Sequence, residues 1–197
     1  MKQFYFSLAA LLAGMLTHAQ YTQNFDNLVN SGSGTYDVLP EGWGIYEVYS
    51  GSGSGASIDG KYIVANGSNN AGNAYSFGTT NSTDRALGTI ASNQNFPTLG
   101  AIFFNETDNP ITSVTITYTG EQWRYGGRSF TAPATAAPKD VLRFEYSLDA
   151  AGIVNNVGTW VRVTELDFES IITTPSTTTG VALDGNAPAN RKLISYT

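Results

Sequence analysis

Cysteine is absent from the 197 residues, histidine occurs once, at His18, and methionine twice, at Met1 and Met15. Residues 20–197 therefore hold none of the three. That excludes disulfides from this part of the chain, and with them a Ser-His-Asp triad, a Cys-His nucleophile, zinc held by Cys or His, and haem ligation by His, Cys or Met. A chain of this kind is stabilised by its core alone. Charge is also scarce, at 13% of residues, and positive charge scarcer still, with 10 Lys and Arg against 16 Asp and Glu. No basic cluster exists to attract phosphates, which argues against nucleic acid as a partner. Long apolar runs are missing too. The longest lies within residues 4–16 and falls short of the roughly 20 apolar residues that cross a bilayer.

What is present at the start of the chain is a leader. Lys2 precedes the apolar stretch from Phe4 to Leu16. Thr17 and Ala19 are the small residues three and one before a cut ahead of Gln20. This is the pattern of a secretory signal peptide over residues 1–19. Residues 20–197 are then long enough for one domain with a real core.

Helical periodicity is nearly absent beyond the leader, and short alternating runs dominate, punctuated by Gly, Asn, Asp and Pro. This predicts an all-β chain, an antiparallel β-sandwich of the jelly-roll kind. The clearest strand is 141–148, with Leu142, Phe144, Tyr146 and Leu148 on one face. The run 111–118 places Val114, Ile116 and Tyr118 together and Thr115 and Thr117 opposite. Further strands are expected at 43–49, 62–65, 74–77, 87–91, 101–104 and 193–196. Ile102, Phe103 and Phe104 read as a central strand covered on both faces. The 160–168 run changes phase, which a bulge near Thr164 and Glu165 would reconcile. The core is expected at Leu142, Phe144, Tyr146, Val114, Ile116, Ile102 and Phe104. Residues 30–34, 50–55 and 131–138 read as loops, and Asp59-Gly60 and Asp184-Gly185 as turns.

The densest cluster of chemistry is Gly120-Glu121-Gln122-Trp123-Arg124-Tyr125-Gly126-Gly127. Unbroken alternation would drive Gln122 and Arg124 into the core. A register shift at Gly120, or a buried polar network, would relieve the cost of burying them. The functional reading is a sugar platform, with Trp123 or Tyr125 stacking on a pyranose and Glu121 and Arg124 binding hydroxyls. The structural reading is a network locking two sheets, with Trp123 buried and Arg124 paired to a carboxylate. Carboxylates are the only catalytic groups left: Glu121, Glu145, Glu165, Asp167 and Glu169. On a regular strand Glu165, Asp167 and Glu169 would share a face at steps of about 7 Å. Asp184 and Asn186 are candidate oxygen donors for a structural calcium ion.

Several strings taken together carry a resemblance. They are Asp84-Arg85-Ala86-Leu87-Gly88, Gly100-Ala101-Ile102-Phe103-Phe104-Asn105, and the stretch from Ser113 to Arg124. Phe144-Glu145-Tyr146-Ser147, Leu166-Asp167-Phe168, and Leu183-Asp184-Gly185-Asn186 with Asn190-Arg191 follow in order. The chain resembles a jelly-roll module of secreted bacterial proteins. That module occurs in PEP-CTERM-type surface proteins, and ahead of endonuclease/exonuclease/phosphatase-type or lamin-tail domains in extracellular nucleases. The resemblance implies a β-sandwich and an extracellular or cell-surface location, and assigns no catalytic residue within the module. Such modules continue past the Asn-Arg segment into further strands, so the domain over 20–197 is expected to be incomplete at its C-terminus. The expected function is a secreted, non-catalytic binding or adhesion module for a glycan or another cell-surface component. The alternative is the N-terminal accessory domain of a secreted hydrolase of nuclease or phosphatase type.

Overall fold

A computed structural model describes residues 20–49, 59–127, 139–153, 157–173 and 179–197. The expected leader, the 50–55 loop and the 131–138 insertion lie outside the described residues. The described chain is all-β. Its strands are β1 (Ser33–Thr35), β2 (Trp43–Tyr49), β3 (Lys61–Ala65), β4 (Asn73–Phe77), β5 (Ala86–Ile90), β6 (Asn95–Ala101) and β7 (Ile116–Glu121). These are followed by β8 (Arg124–Tyr125), β9 (Val141–Leu142), β10 (Glu145–Tyr146), β11 (Val161–Arg162), β12 (Phe168–Glu169), β13 (Val181–Ala182) and β14 (Arg191–Tyr196). Three short 3-10 turns interrupt them, at Tyr36–Val38, Thr164–Leu166 and Pro188–Asn190. No described helix is long and apolar enough to cross a membrane.

The largest sheet has the order β1-β3-β4-β5, and the other strands pair as β2-β6, β7-β14, β8-β13, β9-β12 and β10-β11. All pairings are antiparallel except β3-β4, which is parallel, with Tyr62 beside Ala74 and Ala65 beside Phe77. Residues 66–72 make the crossover between these two strands. The crossover is held at both ends. The Arg124 guanidinium donates to the carbonyls of Gly67 and Ser68 at 2.9 and 3.3 Å. The Tyr75 hydroxyl donates to the Ala71 carbonyl and the Asn95 amide to that of Gly72, at 2.8 and 3.2 Å.

β4 is the central strand, buried on both faces along all five residues. Period-two alternation sends Ala74 one way, into a cluster with Leu28, Ile45 and Tyr62, and Tyr75 and Phe77 the other way, onto Ala65 and Trp123. A third cluster joins Leu166, Phe168 and Ile194, with Ile116, Tyr118 and Phe144 packed against it. The expected core is thus only partly correct. Ile116 and Phe144 do pack inward. Leu142, Tyr146, Val114 and Ile102 are exposed, as is Phe104 at 82%. Ile102–Phe104 lies past the end of β6 and is not the central strand. The run 141–148 splits into two-residue strands, β9 and β10, on separate ribbons, and Leu148 is 94% exposed. Alternation identifies the faces of a strand, but a face becomes core only where a second layer covers it.

Other expectations are met at the level of position. β2 has the expected bounds, β3 and β4 start one residue earlier than expected, and β5 is shifted by one residue at both ends. The phase break near Thr164 is real, but a 3-10 turn resolves it in place of a bulge. Residues 33–34, expected in a loop, belong to the edge strand β1, which pairs with β3.

The chief polar anchor is Arg85, 3% exposed and immediately before β5. Its Nε donates to Ser76 Oγ at 3.0 Å, Nη1 to the Thr79 carbonyl at 3.3 Å and Nη2 to the Ala65 carbonyl at 3.4 Å and to the Ser76 carbonyl. Ser76 Oγ in turn donates to the Val29 carbonyl at 2.9 Å, and Asp26 accepts from the Arg85 amide at 3.3 Å. One guanidinium thereby ties β3, β4, the 79–82 turn and the N-terminal segment together. Arg85→Ala would take a donor from each of these carbonyls and from the Ser76 hydroxyl, leaving the Ala65 and Thr79 carbonyls only the Gly78 and Ser82 amides. It is expected to destabilise by more than about 3 kcal/mol in urea unfolding. Arg85→Lys should recover only part, because a single ammonium cannot span the fork of acceptors.

Candidate functional site

β7 does not run on unbroken into the 120–127 cluster. It pairs with β14 as far as Glu121, opposite Arg191. The chain then changes partner, and β8 pairs with β13 through Arg124 with Ala182 and Tyr125 with Val181. Gly120 stays in the ladder opposite Lys192, so it forms no bulge there. Its role is steric: a Cβ on Gly120 would fall 2.2 Å from the Phe168 ring.

The break lies at Gln122 and Trp123, and both are buried. Gln122 Oε1 accepts from the amides of Ile171 and Ile172, each at 2.8 Å. Its Nε2 donates to the carbonyls of Ile172 and Arg124 at 3.1 and 3.3 Å. Its amide is thus satisfied on both sides and clamps the β7–β8 junction to residues 171–172. The Trp123 indole is 4% exposed and stacks on Phe77 with centroids 6.0 Å apart and planes 9° apart. Gly185 lies against it, since a Cβ there would come within 2.4 Å of the indole. Gly67, at φ +88°, faces the Trp123 carbonyl, where a Cβ would fall at 1.9 Å. Tyr125 is buried as well.

These positions bear directly on the sugar-platform residues. Trp123 and Tyr125 are inside the protein, so neither offers an open ring face. Arg124 is half-buried and bonds the carbonyls of the crossover. Among the described residues it has no carboxylate ion pair, contrary to expectation. Two carbonyls satisfy part of the guanidinium fork without the cost of burying a second charge. Glu121 accepts from Trp123 Nε1 at 2.9 Å. Burial pushes its pKa up, and the nearby Asp84 and Asp184 charges add to that, while the indole hydrogen bond and Arg191 oppose it.

The remaining acids do not form a row. Glu165 sits on the 3-10 turn, Asp167 pairs with Arg162 and accepts from the Phe144 amide, and Glu169 pairs with Lys139 at 2.6 Å. Asp184 Oδ1 accepts from the Asn186 amide at 3.1 Å, closing a turn. No group of three His, Cys, Asp or Glu side chains able to hold a metal occurs among the described residues.

The open surface next to this junction is a groove that the sequence did not advertise. One depression, about 330 Å³, is lined by Asn66, Thr79, Thr80, Trp123, Ala182, Leu183 and Asp184. A second, about 310 Å³, shares Asn66, Thr79 and Thr80 and adds Asn30, Ser31, Ser68, Asn69 and Asn81 among others. Asn66 Nδ2 donates to Thr80 Oγ1 at 3.3 Å, and Asn66 Oδ1 accepts from the Ser68 amide and hydroxyl at 3.2 and 2.7 Å. Asn81 adopts the left-handed conformation, φ +63°, on the turn closed by the Ser82 amide and Thr79 carbonyl. The sequence signal was faint: neutral polar runs beside Gly67 and Gly78, which read as loop punctuation.

No protein-family model, curated protein or solved structure matches the chain. The reading of this region rests on its geometry.

Two measurements test that geometry. Trp123→Ala should cost about 3–5 kcal/mol of stability in urea unfolding, as expected for a buried aromatic. An open platform would predict an unchanged melt. Glu121 has a folded-state pKa above its unfolded one, so folding tightens its hold on a proton. Its contribution is complete below the unfolded value and is lost as pH rises through the folded one. Glu121→Gln keeps an acceptor for the indole. The variant should match the wild type at acid pH and exceed it at neutral pH in a pH series of urea midpoints.

Proposed function

We propose that residues 20–197 form an extracellular, non-catalytic module, a sandwich of the jelly-roll type, that binds a neutral glycan in the groove around Asn66 and Thr80. The observation that carries this reading is the groove's lining: amide and hydroxyl side chains from three separate segments, around positions 30, 66 and 80, beside Trp123, Leu183 and one carboxylate, Asp184. Sugar hydroxyls both donate and accept, and Asn, Ser and Thr match both capacities without bringing a charge. Phosphate or sulfate would call for cationic donors, and neither depression is lined by Lys or Arg. The groove is also built to keep its shape. Arg85 and the Gly78 and Ser82 amides hold the Ala65 and Thr79 carbonyls beside it, and Arg124 holds those of Gly67 and Ser68. Rigid positioning limits the entropy lost on binding. The secretory leader pattern supports the extracellular setting.

A glycan array, followed by calorimetry on the best neutral ligand, tests the proposal. The Asn66→Ala/Thr80→Ala double variant should lose about tenfold or more in affinity, the equivalent of roughly 1.4 kcal/mol, while its melting temperature stays near that of the wild type. A silent array with the wild type, or equal binding by the double variant, would count against the groove.

A further inference from the structure

The crossover that follows β3 opens on Asn66-Gly67, the only Asn-Gly pair in the chain. Packing dictates the second residue of the pair. Gly67 has φ +88°, and a Cβ there would fall 1.9 Å from the Trp123 carbonyl, so no side chain fits. Among the described residues no backbone acceptor bonds the Gly67 amide. Without a Cβ on the following residue, the backbone nitrogen has its freest approach to the carbonyl carbon of the asparagine side chain, and the two can close a small ring.

The Asn66 side chain is held as that reaction requires. Asn66 and Ser68 are exposed, so water reaches both. Asn66 Oδ1 accepts from Ser68 Oγ at 2.7 Å and from the Ser68 amide at 3.2 Å. Two donors therefore face the oxygen on which negative charge develops when a nucleophile adds to Cγ, as in an oxyanion hole. Asn66 Nδ2, the nitrogen that has to leave, donates to Thr80 Oγ1 at 3.3 Å, and a hydroxyl can also return a proton. Arg124 Nη1 bonds the Gly67 and Ser68 carbonyls at 2.9 and 3.3 Å and brings a positive charge to the same turn.

We propose that Asn66 is a self-modification site, converted without an enzyme into aspartate and isoaspartate. The Gly67 nitrogen gives its proton to hydroxide or water and bonds to Asn66 Cγ. The Cγ–Nδ2 bond then breaks, and ammonia leaves with a proton relayed through Thr80. Water opens the resulting cyclic imide at Cγ to give aspartate, or at the backbone carbonyl to give isoaspartate, whose main chain is one carbon longer. In sum a water enters and an ammonia leaves, with no change of oxidation state. Either product places a negative charge in the depression that Asp184 also lines. The reaction needs no ligand, so its test is independent of glycan binding.

The purified protein is incubated in isotopically labelled water at neutral and mildly alkaline pH, folded and, separately, unfolded in urea. Peptide mapping by mass spectrometry follows residue 66. The folded wild type should release ammonia, take up labelled oxygen at this position and yield isoaspartate beside aspartate, faster as hydroxide increases. Ser68→Ala should slow conversion in the folded state about tenfold, the equivalent of roughly 1.4 kcal/mol for a lost hydrogen bond to the oxyanion, and should match the wild type in urea. Ser68→Thr keeps the hydroxyl and should convert at close to the wild-type rate. A folded wild type that retains Asn66 while the urea-unfolded chain converts would overturn the proposal. Equal folded rates for the wild type and Ser68→Ala, or aspartate without any isoaspartate, would overturn it as well.

Discussion

The interaction on which most of this structure depends is a buried guanidinium held by neutral oxygens. Arg85 reaches the Ala65, Ser76 and Thr79 carbonyls and the Ser76 hydroxyl from one planar group. Burial lowers its pKa, and the neighbouring Asp84 charge acts the other way. An arginine nonetheless keeps its charge inside a protein, where a lysine would release its proton far more readily. The arrangement orders the end of the parallel β3–β4 pair, whose crossover is too short to carry a covering helix. Gly78 is part of the same device, since a Cβ there would collide with the guanidinium at 2.2 Å. A chain without disulfides has here a cross-link of hydrogen bonds between four segments.

Around that anchor the apolar core is divided into three small clusters. Each fully buried large side chain contributes about 1.5–3 kcal/mol, so no cluster alone holds the fold. Polar residues fasten the clusters to one another: Gln122 fixes the β7–β8 junction to residues 171–172, and Arg124 fixes β8 to the crossover. Each works because its donors and acceptors meet backbone groups that burial would otherwise leave unpaired. The same bonds determine the groove. Asn66, Ser68 and Thr79 stand where they do because the backbone around them is already bonded to Arg85 and Arg124. Trp123 serves this scaffold as a wedge between Phe77 and Gly185 and is itself almost fully buried.

Alternation and punctuation in the sequence were sufficient to place β2, β3, β4, β5 and β14 to within a residue or two. They also exposed the conflict at Gln122 and Arg124, two polar residues on a strand leading out of the core, and a buried polar network resolves it. The phase change at Thr164 was visible for the same reason. Local periodicity is a property of neighbouring residues, and neighbouring residues are what a sequence displays.

What covers a strand is decided by residues distant in the chain, and tertiary structure alone settled it. Leu142, Phe104 and Leu148 show the same pattern as core residues but lie on ribbons or past a strand end, exposed. Ser76 and Asn73 look like surface residues, yet they sit on the central strand with neighbours on both faces. Arg85 read as one letter of a motif until Ser76, Thr79 and Ala65 were brought around it. The groove, too, is assembled from residues near positions 30, 66, 80 and 184, none of which marks the others in sequence. Composition determined which chemistries residues 20–197 lack, and local residue order where their strands alternate. Packing determined which alternating faces became core, because burial depends on contacts between segments tens of residues apart.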